Sequence, residues 1–282
     1  MRAEPTGDDV LTRFLSDGFA TFPADPATQA WVEAVRPHAR RLARDPALNA
    51  AWLRCGGSWF AGVNVLANAP DGSVAAEGVP ALAGAGIDFL RGPLGLDGIA
   101  LDTAQLSVAW PGYPAAPAEG ESEAAFRFRR DRDAAHVDGL ERFDGRRRRL
   151  GEAHAAILGL PLEETPPAAA PLVVWQGSHH VIRAALVERL AGIDPVDWPD
   201  EDVTDAYVAA RRQVFEDCER VVLHALPGES YVVHRLAVHG VAPWPAGVEG
   251  GPHGRAILYF RPEPFPAPPL PGRDFGHWLT AP

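Results

Sequence analysis

Two histidines and an aspartate carry the strongest chemical signal in this chain. His136 and Asp138 stand two apart in AAHVDGL, and His239 follows 101 residues beyond Asp138 in YVVHRLAVHG. Alternate residues of a strand point the same way, so His136 and Asp138 can send an imidazole and a carboxylate to one side. Two imidazoles and one carboxylate leave three positions of a six-coordinate ion open, the facial arrangement suited to non-heme iron(II). The open positions let a bidentate oxoacid and dioxygen reach the same ion. In a chain with ten histidines, the competing account is two core or solvated histidines beside a turn aspartate.

Arg255 opens GRAILYF, with Ile257 and Tyr259 on its own side of an apolar strand. Its rigid fork of donors matches a carboxylate bidentately, so a dicarboxylate oxoacid chelating the ion at one end can meet Arg255 with the other. A pair with Glu263 or Asp274 is the structural alternative. His239 shares its strand face with Val233, Arg235 and Ala237, whereas His234 stands on the opposite face at a rival spacing. His253 lies in a glycine-rich loop, where a solvated histidine is ordinary.

The elements that must position these groups are short strands. LDTAQLSVAW alternates Leu106, Val108 and Trp110 with Gln105, Ser107 and Ala109 before Pro111 and Gly112 turn the chain. Strand-like runs follow at AAFRFRR, AAHVDGL, HAAILGLPL, APLVVWQGSH, ESYVVHRLAVHG and GRAILYFRPE, separated by Gly and Pro, which predicts a sandwich or barrel. Around it, Asp25-Pro26 and Asp45-Pro46 start helices within about residues 8–55, with Pro37 marking a kink or early stop. An inserted helix spans about 201–222, with Val203, Tyr207, Val214, Phe215 and Cys218 on one face. The tail PEPFPAPPLPGRDF is too rich in proline for a central element and should run extended.

With 282 residues, 46% hydrophobic and 22% charged, the chain has ample material for one folded core. The expected organisation is a single domain over residues 1–282, its core at about 101–262. A formal charge of −11 repels a polyanion, which excludes nucleic acid as the expected partner and leaves a small-molecule substrate. Cys55 and Cys218 are too few for a disulfide framework or a thiolate zinc site. MRAEPTGDDVL lacks the features of a secretory signal, and no apolar run is long enough to span a bilayer. The expectation is a reduced, cytoplasmic protein, monomer or homodimer, with no membrane association.

As an ordered set, His136 and Asp138, His239 in VHGVAPW and Arg255 in GRAILYF resemble the phytanoyl-CoA dioxygenase group of the iron(II) and 2-oxoglutarate-dependent oxygenases. APLVVWQGSHHVI at 170–182 is similar to that family's strand running into a Gly-Ser-His turn. The resemblance covers roughly Leu101 to Phe260. It implies a mostly β fold with peripheral helices, a double-stranded β-helix of the jelly-roll, cupin-like kind. It implies iron(II) on His136, Asp138 and His239, 2-oxoglutarate on Arg255, and dioxygen as cosubstrate, with a small organic substrate hydroxylated and succinate and CO2 released. Related halogenases have a small residue where this chain has Asp138, so the resemblance favours hydroxylation. The 16 residues from His239 to Arg255 exceed the family's usual gap, through the loop PAGVEGGPH.

Other residues enter on the same resemblance or on strand geometry, each beside a plainer account. Arg127 and Arg129, on one face of AAFRFRR, resemble positions from which related enzymes reach oxoacid or substrate; a salt-bridged strand edge is the alternative. Gln105 and Ser107 are candidates to point inward toward the oxoacid, or else face solvent. Trp175, Gln176, Ser178 and His179 end an apolar strand where side chains can close over substrate, as can a packed tryptophan and a turn capped by Ser178. The run Arg146–Arg149 with Arg142 is either a landing place for an anionic substrate, such as a carboxylate or acyl-CoA, or a solvated loop. The competing functions are an oxoacid-independent cupin-type metal enzyme, an isomerase or another dioxygenase, in which Arg255 binds the substrate's acid group, and a non-catalytic ligand-binding barrel.

Overall fold

Aspartate followed by proline starts two of the N-terminal helices by the expected physics. Asp25 Oδ1 accepts from the N–H groups of Ala27 (3.0 Å) and Thr28 (2.9 Å), and Asp45 Oδ1 from those of Ala47 (2.8 Å) and Leu48 (3.0 Å). The computed structural model describes residues 7–115, 122–262 and 275–280. In chain order its N-terminal part comprises α1 (Gly7–Asp17), β1 (Phe19–Phe22), α2 (Pro26–Leu42), α3 (Pro46–Trp52), β2 (Leu53–Arg54), β3 (Trp59–Gly62), α4 (Ala85–Arg91), β4 (Gln105–Ala109) and α5 (Glu123–Arg132). There follow β5 (Leu140–Phe143), β6 (Arg147–Leu150), β7 (Ala156–Pro161), β8 (Leu172–Trp175), α6 (Ser178–Arg189), α7 (Thr204–Asp217) and β9 (Arg220–Leu223). Then come β10 (Ser230–His234), β11 (His239–Val241), β12 (Arg255–Phe260) and α8 (Phe275–Thr280).

All strand pairs among the described residues are antiparallel. The large sheet runs β1-β10-β7-β12-β4-β3-β2, the small sheet β11-β8-β9, and β5 and β6 form a separate hairpin. A backbone bridge between His136 and His239 adds the segment before the hairpin to the edge of the small sheet. From β4 onward, and leaving the hairpin aside, the chain visits large, small, large, small, small, large, small and large sheets in turn, the alternation of a jelly roll.

Four layers result. The outer face of the large sheet, with Leu106, Val108, Leu158, Val232, Leu258 and Phe260, buries Trp31, Val32 and Val35 of α2 and Ile87, Phe89 and Leu90 of α4. Burial at about 1.5–3 kcal/mol for each large aliphatic side chain fixes these helices to the sheet. The inner face, with Ile157, Tyr231, Val233, Ile257 and Tyr259, meets Leu172, Val174 and Leu223 of the small sheet. Beyond the small sheet, Val173 and Trp175 pack with Ile182 and Leu186 of α6 and Tyr207 and Val214 of α7. No helix of the described residues is long and apolar enough to cross a membrane.

Several expectations are corrected. The fold is not mostly β: helical residues outnumber strand residues among those described, and the sheets do not close into a barrel. AAFRFRR lies in helix α5, because Ser122 Oγ caps it by accepting from Ala125 N–H (3.2 Å), and Ala, Glu and Arg favour helix once a cap is present. APLVVWQGSH leaves the strand at Trp175, and Gly177, at φ 73°, turns the chain into α6. ESYVVHRLAVHG is not one strand: β10 ends at His234 in the large sheet and β11 begins at His239 in the small one. Val233, Arg235, Ala237 and His239 therefore share no common face. The inserted helix stops at Asp217 and gives way to β9, and α2 runs through Pro37 to Leu42. The proline-rich tail lies outside the described residues.

Gly240, beside His239, leaves no room for a side chain, since a Cβ there would stand 2.1 Å from the Asp133 carbonyl oxygen. Gly240→Ala is expected to destabilise the protein by about 1–3 kcal/mol, read as a lower urea midpoint at unchanged slope. An unchanged midpoint would contradict this packing.

Candidate metal centre

His136 and His239 are brought together by their backbones. His136 N–H donates to the His239 carbonyl (2.8 Å) and His239 N–H to the His136 carbonyl (2.9 Å). Residues directly opposed in such a pair carry their side chains on one face, and the two ring centroids stand 4.6 Å apart. Val137 between the ligands turns inward, its N–H bonded to the Tyr207 hydroxyl (3.2 Å), so Asp138 returns to the imidazole side. Asp138 Oδ1 lies 3.2 Å from His136 Nε2 and Oδ2 lies 3.9 Å from His239 Nε2. One ligand atom from each of the three lies within 4.8 Å of the others.

The histidine tautomers follow from local geometry. Each Nδ1 sits against the carbonyl two residues back, Ala134 for His136 (2.9 Å) and Ala237 for His239 (3.0 Å). A carbonyl only accepts, so Nδ1 carries the proton and the Nε2 lone pair faces Asp138. Donors about 2 Å from a shared ion sit about 3 Å apart. The His136–Asp138 pair already has that spacing, and all three donors lie within 4.8 Å of one another. The donor set fits iron(II).

Burial alone would raise the Asp138 pKa, but the His136 hydrogen bond and the charges of His239, His136 and Arg261 hold it well below the ordinary carboxylate value. Burial, reinforced by His136, pushes His239 down to about 4. His136 is raised: desolvation by the surrounding chain works against the proton although the side chain is partly open to solvent, but the hydrogen bond and charge of Asp138 outweigh it.

Sequence reasoning missed Arg261. Its Nη1 lies 3.6 Å from Asp138 Oδ2 and its Nε 3.8 Å from Glu152 Oε1, while its backbone N–H donates to Asp102 Oδ1 (2.6 Å). Burial raises Asp102 to about 6. The signal was available, because Arg261 continues the alternation Arg255, Ile257, Tyr259. His154 was also missed. It is fully buried, pushed down to about 3 by burial, and neither ring nitrogen has a hydrogen-bond partner among the described residues.

Arg255 is 5% exposed on the inner face of β12. Its Nη2 donates to the Tyr259 hydroxyl (3.1 Å), which also accepts from the Tyr231 hydroxyl (3.1 Å). Burial raises Tyr231 well above the ordinary phenol value, so it stays protonated. Gly159 makes room for this pair, since a Cβ there would stand 2.1 Å from the Tyr231 ring. Arg255 Nη1 is buried without a hydrogen-bond partner, and no described carboxylate pairs with this guanidinium. Glu263 and Asp274, the alternative partners, lie outside the described residues. An orphaned donor on a buried cation fits an anionic group of a ligand.

The remaining sequence candidates separate. Gln105 stands opposite Tyr259 in the register, half-buried on the same inner face. Ser107 Oγ is engaged by Trp59 Nε1 (3.0 Å). Arg127 and Arg129 cannot share a face on a helix, where two residues differ by about 200°. Arg127 is exposed and pairs with Glu123 at 3.9 Å, whereas the charge of Arg129 reaches Tyr113, which also feels Arg255. Trp175 packs edge-on against Phe215 at 5.3 Å. Gln176 is half-buried, its N–H bonded to the Glu219 carbonyl (2.9 Å). Ser178 Oγ accepts from Val238 N–H (2.8 Å), bracing the residue before His239. His179 Nε2 bonds the Leu15 carbonyl (3.0 Å), and the rival His234 stacks on His179 in the large sheet, away from the bridge.

No family model matches the chain, and no curated protein matches it. Solved structures do. EvdMO1 is 16% identical with a TM-score of 0.51, over 93% of this chain and 51% of that one. The likeness is one of fold. The non-heme alpha-ketoglutarate-dependent carbocyclase SnoK from nogalamycin biosynthesis is 13% identical, TM-score 0.47, over 93% of this chain and 87% of that one. EctD from S. alaskensis, solved with 2-oxoglutarate and 5-hydroxyectoine, is 17% identical, TM-score 0.45, over 93% and 78%.

Metal binding must displace the proton that Asp138 favours on His136. Cobalt(II) affinity is therefore expected to be full above the raised His136 pKa and to fall about tenfold per pH unit below it. Calorimetric titration from about pH 8 to about pH 5.5 measures this. Affinity independent of pH would contradict the assignment of His136 as a ligand.

Proposed function

We propose that this chain is an iron(II)- and 2-oxoglutarate-dependent oxygenase, a single domain that hydroxylates a small organic substrate and releases succinate and CO2. One observation carries the reading. A single face of β12 presents Arg255 and Tyr259, and the residue just past its end, Arg261, meets Asp138 of the triad. The strand that carries an unsatisfied buried guanidinium thus leads, just past its end, to a residue that meets a metal ligand.

His136, Asp138 and His239 would hold iron(II), which when bound supplies the activation of dioxygen. Arg255 Nη1 is the donor left for the far carboxylate of the oxoacid. Tyr259 completes that grip: its hydroxyl accepts from both Arg255 and Tyr231, so its own proton is left to donate to an anion. Arg261 pairs with Asp138 Oδ2, the oxygen on the His239 side, and helps keep the carboxylate turned toward the histidines. His136, with a side chain 48% exposed, marks the side open to substrate, while the packed sheets and Tyr231 exclude water from the rest.

Anaerobic reconstitution with iron(II) and 2-oxoglutarate is expected to give the weak visible band of a chelated oxoacid. Asp138→Ala abolishes it, and Arg255→Ala raises the oxoacid dissociation constant by about 100-fold. Iron bound without any such band would favour an oxoacid-independent metal enzyme in which Arg255 binds the substrate's own acid group.

A further inference from the structure

The β5–β6 hairpin beside the triad distributes its arginines unequally. On one face every arginine has a partner. Arg149 Nε donates to Glu141 Oε1 directly across the hairpin (2.7 Å), and Arg147 Nε donates to Asp202 Oδ2 (2.7 Å) while lying 4.8 Å over the Phe143 ring. On the other face, next to the buried pair Leu140 and Leu150, the register sets Arg142 directly opposite Arg148. No carboxylate of the described residues pairs with either. Like charges so placed destabilise a ladder.

Two further observations tie Arg148, and Arg211 beside it, to the neighbourhood of His136. Arg148 is half-buried, and its charge acts on His136. Arg211 of α7 repels Arg148, and its guanidinium lies over the rings of Phe128 (4.9 Å) and Tyr207 (5.2 Å) while donating to the Ala135 carbonyl (3.3 Å), one residue before His136. Burial, with repulsion from Arg142 and Arg211, lowers the pKa of Arg148. A chain with 37 acidic against 26 basic residues has carboxylates in excess, yet none of the described ones pairs with Arg142 or Arg148. Its surface otherwise repels anions, so this cluster is where one gathers.

We propose that Arg142, Arg148 and Arg211 form a binding site for an oxyanion of the substrate, a carboxylate or a phosphate, that anchors the molecule beside the triad. The substrate class rests on the oxygenase reading, whereas the oxyanion site itself needs neither iron nor oxoacid. Planar guanidinium forks bind either oxyanion bidentately, and a bound anion relieves the repulsion built into the hairpin.

Octanoate, octyl phosphate and neutral octanol, titrated calorimetrically into the full chain without iron, test the proposal. At least one anion is expected to bind ten or more times tighter than octanol (about tenfold or above), with the preference weakened by salt. The ratio of octyl phosphate to octanoate affinity identifies the oxyanion. Arg142→Gln with Arg148→Gln is expected to abolish the preference, and the paired lysine variant to retain part of it. The glutamine variant should melt at or above the wild-type temperature, because a repulsion is removed. Equal binding of octanol, no binding of either anion, an unchanged preference in the glutamine variant, or a lower melting temperature would each overturn the proposal. An anion preference without the oxoacid band would leave the oxyanion site standing and remove the oxygenase reading; the band without the preference would do the reverse.

Discussion

Everything chemical in this molecule depends on two backbone hydrogen bonds. The reciprocal pair between His136 and His239 sets residues from distant parts of the chain opposite one another, and strand geometry then decides where their side chains go. Asp138 joins them because it is two residues on, and Val137 is withdrawn because it is one. The carbonyls of Ala134 and Ala237 add the last condition by fixing both Nδ1 protons. The metal-binding geometry is therefore written in main-chain pairing before any side chain adjusts.

The layered core serves the opposite end of the same interior. Helices buried against the outer face of the large sheet leave its inner face free for Tyr231, Tyr259 and Arg255. A guanidinium in that position is costly unless something answers its charge. The hydroxyl chain from Tyr231 through Tyr259 satisfies one nitrogen and leaves the other without a hydrogen-bond partner among the described residues. Gly159 and Gly240 belong to the same construction, since each gives up a side chain where a ring or a carbonyl must come close.

The clustering of His136, Asp138 and His239 was legible because strand alternation and ligand chemistry act over two residues, and the burial of Arg255 because it opens an apolar strand. The alternation of sheets was legible only as a density of short strands. What failed was the reading of apolar stretches whose partners are distant: YVVHRLAVHG looks like one strand, yet its halves pair with β7 and β8 in different sheets. AAFRFRR fits a period of two as well as a helix, and the Ser122 cap decides it. Arg261 is harder to read because it lies just past the end of the apolar run, although the same alternation continues to it. Trp175 and Ser178 look alike in sequence whether they line a pocket or brace a strand; in the structure Trp175 packs against Phe215 and Ser178 Oγ accepts from Val238 N–H. The hairpin arginines looked like a solvated run, and only the register separated the partnered from the unpartnered.

The central claim is that three side chains share one ion. Anomalous diffraction at the iron edge, from crystals loaded anaerobically with iron(II), tests it most directly. The account predicts a single strong peak about 2.0–2.2 Å from His136 Nε2, His239 Nε2 and an Asp138 carboxylate oxygen. A peak elsewhere, or one that leaves any of the three beyond bonding distance, would contradict it.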